Sequence, residues 1–137
     1  MKKLSFLLVT ILLISSCNKK ESLNYLTLSG KINNNKDSII SIYNRQGPIK
    51  TIKINTDGSF KDTLKVNDGA IHTFATSNDN RAPIFLKNGY NIVIEANADA
   101  KNFMDSFVFS GVGASNSNFI LAQIKQGEKL GDPQKII

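Results

Sequence analysis

The sequence predicts an all-β domain of about eight strands, an antiparallel meander shaped as a sandwich or partly open barrel, with one short C-terminal helix. Three observations predict it. Between Tyr25 and Gly111 the chain alternates apolar and polar residues with period two, in short runs. Turn-forming residues punctuate those runs at roughly 8–12-residue spacing. After Gly113 the apolar spacing changes from strand-like to helical.

The first run, YLTLSGKI, sets Leu26, Leu28 and Ile32 on one face and Thr27, Ser29 and Lys31 on the other. DSIISIYN is β-branched around Ile40 and Ile42, and KTIKIN alternates Ile52 and Ile54 with Lys53. SFKDTLKV puts Phe60, Leu64 and Val66 opposite Lys61, Thr63 and Lys65. IHTFATS, APIFLK, YNIVIEA and DSFVFSG complete the set, and Phe60, Leu64, Ile92, Ile94, Phe107 and Phe109 are expected in the core. The turns are Arg45-Gln46-Gly47-Pro48, Asp57-Gly58, Asp68-Gly69, Ser77-Asn78-Asp79-Asn80 and Asn88-Gly89. Asp-Gly and Asn-Gly between alternating runs read as hairpins, because glycine accepts the positive φ such turns need. In ASNSNFILAQIKQGEKLGD, Ser115 or Ser117 is a plausible N-cap. Phe119, Ala122 and Gln126 form one stripe and Ile120 and Ile124 another. Gly127 weakens the helix, and Gly131 with Pro133 ends it, which predicts about 10–13 helical residues and then a loose end.

The N-terminus has a different character. Lys2 and Lys3 precede an apolar run from Leu4 to Ile14, and the small Ser15 and Ser16 lead to Cys17. A charged start, an apolar stretch and small residues before a cut describe a secretory signal. The run falls short of the roughly 20 apolar residues a spanning helix needs. Ile14-Ser15-Ser16-Cys17 resembles the lipobox of bacterial lipoproteins. The resemblance implies cleavage between Ser16 and Cys17 and lipid on the Cys17 sulfur. Residues 1–16 are then a signal peptide, 17–24 a lipidated cysteine with a polar tether, 25–113 the β domain and 114–137 a linker-type helix with a loose C-terminus. Lys19 and Lys20 sit beside the lipid and read as a solvated tether.

The order of LSGKI, IKINTDGSFKDTL, APIFLKNGYNIVIEANA and FVFSGVGASNSNF is similar to the β-rich N-terminal domain, of unknown function, of lipid-anchored thioredoxin-like lipoproteins of the TlpA/ResA type. It covers residues 25–125. In that family the helix leads to a thioredoxin-like domain with a Cys-x-x-Cys pair. Cys17 is the only cysteine here, so the redox chemistry finds no residues to be carried onto.

The remaining candidates are weak. Asn55–Asp62 has acids near a glycine but lacks the acid spacing and closing Glu of a calcium loop. Asp62 falls on the apolar parity of its strand, which an edge position or a bulge explains. His72, the only histidine, reads as a surface or satisfied side chain. GVGASN, residues 111–116, lacks the Lys-Ser/Thr of a phosphate loop and reads as a strand-to-helix turn. Removing Lys2 and Lys3 leaves 15 basic against 11 acidic side chains, net +4, with no basic stripe interleaved with aromatics, so nucleic acid is a poor partner. The expectation is a non-enzymatic lipoprotein domain of the cell envelope, without cofactor or metal, held in the outer membrane on its periplasmic or surface face. It would act as a scaffold or positioning module, alone or left by truncation. The alternative is a binding module for a glycan, peptide or protein. Residues 115–137 would either fold back on the β domain and cap an open end or offer a face for a protein partner or a second copy.

Overall fold

The computed structural model describes residues 22–76 and 80–130. Eight strands form two four-stranded sheets. They are β1 (Leu26–Asn33), β2 (Ile39–Asn44), β3 (Gly47–Lys53), β4 (Ser59–Leu64), β5 (Ala70–Thr76), β6 (Arg81–Leu86), β7 (Asn91–Asn97) and β8 (Val108–Val112). One sheet has the order β4-β1-β7-β8 and the other β3-β2-β5-β6. One long helix, α1 (Ala114–Leu130), follows β8. The all-β class with a C-terminal helix is as expected, and the architecture is a sandwich.

Each strand turns its period-two apolar face inward. Leu26, Leu28, Ile40, Ile42, Ile52, Phe74, Ile84, Leu86, Ile92 and Ile94 are fully buried between the sheets, with Phe60, Leu64, Phe107 and Phe109 beside them. The rings of Phe74 and Phe107 meet edge-on with centroids 5.3 Å apart, and Phe103 meets Phe107 in the same way at 5.0 Å. Such edge-to-face contacts add to the burial term because ring edges are electropositive and faces electronegative.

The connections differ from the expected meander. Only the β2–β3, β5–β6 and β7–β8 pairs join strands that are neighbours in both sequence and sheet. Asp57-Gly58, Asp68-Gly69 and Asn88-Gly89, read as hairpin turns, each carry the chain from one sheet to the other. Turn chemistry reports that the chain reverses; it does not report which sheet receives the next strand. β1 and β7 pair in parallel, from Thr27 opposite Asn91 to Asn33 opposite Asn97. Gly30 permits this central pairing. Its φ is 153°, and a Cβ there would collide with the Ile94 carbonyl.

Strand directions fix what lies at each end. The chain enters at Tyr25, whose carbonyl accepts from Gly89 N–H at 2.8 Å. At this entry end lie the β2–β3, β4–β5 and β6–β7 connections and the start of α1. The β1–β2 and β3–β4 connections and the excursion between β7 and β8 lie at the far end.

α1 has 17 residues, longer than predicted, and is about 25 Å long at 1.5 Å per residue. It runs back along the seam between β6 and β8, the edge strands of the two sheets. Its inward stripe is Ala114, Ser117 and Leu121, with Ile120 and Ile124 half-buried beside it. Phe119 and Ala122, assigned to a stripe, are exposed. Neither Ser115 nor Ser117 caps the helix, since both lie inside it. Gly127 lies on the exposed part of the helix, where an added Cβ would meet nothing within 4 Å. The expected turn at Ser77-Asn78-Asp79 and the end at Gly131 and Pro133 lie outside the described residues.

Candidate functional site

An open cleft of about 950 Å³ lies at the entry end. Its walls are the β2–β3 turn, the β4–β5 connection and the first residues of β5. Arg45, Lys65 and Asp68 are exposed on its rim, and Ile49 and Ile71 lie exposed within it. Ile71 is 56% exposed, unusual for a strand isoleucine. The loops are not slack. The Asn88 side chain donates to the Val66 carbonyl at 2.7 Å and accepts from Val66 N–H at 3.0 Å. One amide thus imitates a neighbouring strand and ties the β4–β5 connection to the β6–β7 connection.

His72 lines the same cleft but is buried, on the face it shares with Phe74. Nδ1 lies 2.9 Å from the Ala70 carbonyl. A carbonyl only accepts, so Nδ1 carries the proton in this contact. The expectation of a satisfied histidine describes it well.

The Asn55–Asp62 stretch is closed on itself. Asp57 Oδ1 accepts from Ser59 Oγ at 2.6 Å and from Ser59 N–H at 3.0 Å, and the Asn55 amide donates to Ser59 Oγ at 3.0 Å. These bonds hold the Asp57 carboxyl below its ordinary range, the Ser59 hydroxyl first and the Ser59 amide second. Asp62 faces elsewhere. It sits on the edge strand β4 and pairs with Lys50 on β3 at 3.0 Å, both about one-third exposed. The inward parity of Asp62 therefore serves an ion pair across the open side of the sandwich, opposite the side closed by α1. Among the described residues, no group of three His, Cys, Asp or Glu side chains is placed to hold a metal.

GVGASN is a structural passage. Gly113 has φ 91° and lies against the Tyr90 ring, so any Cβ there would strike it. Three residues on, the Asn116 amide donates to Tyr90 Oη at 2.8 Å. Ser117 is the feature that sequence reasoning missed. It is fully buried, and its Oγ accepts from Phe85 N–H at 2.9 Å, a donor that the edge strand β6 would otherwise leave unpaired. The Asn118 amide does the equivalent on the other sheet, donating to the Phe109 carbonyl of β8 at 3.1 Å. A serine inside an apolar helix stripe, near an expected edge strand, was the available signal.

Ser16, Cys17, Lys19 and Lys20 lie outside the described residues. Among those described, no helix is long and apolar enough to cross a membrane. No family model, no curated protein and no solved structure matches the chain.

Proposed function

We propose that this chain is a non-enzymatic lipoprotein domain of the bacterial envelope, anchored through lipid on Cys17, that positions material at a set height from the membrane. It would be related to the N-terminal domain of the TlpA/ResA-type lipoproteins and would sit in the outer membrane.

The observation that carries this reading is the polarity of the chain. The tether arrives at one end of the sandwich, at Tyr25. α1 starts at that end beside Tyr90 and runs toward the other. There Lys125 approaches the Asp105 carboxylate at 3.6 Å and the Asp105 carbonyl at 3.4 Å. Beyond Lys125 the helix continues, and residues 126–129 are exposed. A domain that receives the chain near the membrane and sends a docked, stiff helix away from it is built as a spacer. Phe119 on α1 and Val108 and Val112 on the neighbouring β8 are each more than half exposed and offer a surface for a partner or a second copy.

The anchor is tested with Cys17→Ala in the native host. The variant is expected to lose fatty-acid labelling and to leave the detergent phase. Retention of both label and membrane association would overturn the reading.

A further inference from the structure

We propose that the entry end of the sandwich docks directly on anionic phospholipid, so that the domain stands on the membrane instead of floating above it. This rests on the lipid-anchor reading and adds to it an orientation and a lipid class.

Four observations converge. The first is reach. Residues 17–24 are eight in number, and fully extended they span at most about 29 Å. The chain at Tyr25 is therefore held within about 29 Å of the lipid. The second is apolar exposure at that same end. Leu23 is 51% exposed, Ile49 39% and Ile71 56%. Interfacial binding scales with apolar area placed at the headgroup boundary together with attraction to anionic lipid.

The third is charge. The entry-end connections carry Arg45, Lys65 and Lys87 against Asp68, a net of +2. The described far-end connections carry Lys36 and Lys101 against Asp37, Asp57, Asp99 and Asp105, a net of −2. An anionic surface attracts the entry-end connections, whereas among the far-end acids Asp105 already pairs with Lys125 at 3.6 Å. The fourth is rigidity. Asn88 clamps the β4–β5 and β6–β7 connections together through Val66, and the Asn44 side chain accepts from Gln46 and Gly47 N–H in the β2–β3 turn, so Lys65, Lys87 and Arg45 are displayed with little ordering left to do on contact. The cleft lined by Arg45, Lys65 and Ile71 lies at this end and has room for a phosphate headgroup.

The test uses the lipidated protein, with Cys17 blocked by its lipid, carrying a nitroxide at Asn67→Cys or at Lys101→Cys. Vesicles are phosphatidylcholine with or without phosphatidylglycerol. The label at position 67 is expected to be shielded from an aqueous relaxant only in the anionic vesicles, and the label at 101 to stay in water in both. Raising the salt should release position 67, because exposed charges are screened beyond roughly 10 Å at 0.1 M. Arg45→Gln/Lys65→Gln/Lys87→Gln should release it at low salt, each cation being worth about fivefold in docked population. Protein that sediments with the vesicles while position 67 stays equally wet in both lipids overturns the docking and leaves the anchor standing. Equal shielding in both lipids overturns the anionic requirement. Failure to sediment with vesicles at all overturns the anchor, and the docking with it.

Discussion

At the residue scale, the side chains that matter most for shape are polar ones standing in for backbone. Asn88 pairs with both backbone groups of Val66, so Asn88→Ala strips a partly buried donor and acceptor of their partners at once. Leaving such groups unsatisfied costs about 1–3 kcal/mol. A denaturant titration should show a loss of that size, and a loss under about 0.5 kcal/mol would mean water replaces the amide freely. Asp57 gives a pH signature. Its folded pKa lies below the ordinary 3.8, so its contribution is complete above that value and disappears as pH falls through the folded one. A carboxyl NMR titration should find Asp57 titrating below 3.8, and Ser59→Ala should move it upward. An Asp57 that titrates at or above 3.8, with no response to Ser59→Ala, would contradict the turn geometry. Neither role was legible in the sequence. Asn88-Gly89 and Asp57-Gly58 announce turns, but a side chain's partner depends on which loop the fold brings opposite.

At the element scale, the strands were legible because burial imposes period two on one face, and Leu26, Leu28, Ile92 and Ile94 show it plainly. The parallel pairing of β1 with β7 was not, since strands about 60 residues apart share no local signal of direction. Helix α1 lies where the sequence predicts a helix and, at 17 residues, is longer than the spacing predicts. Gly127 weighs against a helix, but docking of residues 114–121 supplies the costly nucleus, and extending it past one glycine costs only about 1 kcal/mol. The docking rests on Leu121 and on the Ser117–Phe85 bond. Ser117→Ala should therefore destabilise by about 1–3 kcal/mol by orphaning the Phe85 amide. Hydrogen exchange should speed up from Phe119 to Ile124 more than in the central strands. Unchanged, strong protection there in Ser117→Ala would show that the serine is dispensable to the seam.

At the scale of the whole molecule, the two ends differ in chemistry, and that difference was hidden in the sequence. Successive loops alternate between ends, so the basic entry-end connections and the acidic far-end connections are interleaved along the chain and read as scattered charge. The sandwich sorts them. One end then joins the tether, the cations and the exposed isoleucines, while α1 carries the chain toward the other. The whole account depends on the chain being held at its entry end by Cys17. The most direct test is the mass of the N-terminal peptide from protein extracted from native membranes. The mature chain is expected to begin at Cys17 and to carry a diacylglyceryl group on its sulfur. A free Cys17 thiol, or a cut elsewhere between Leu4 and Tyr25, would contradict it.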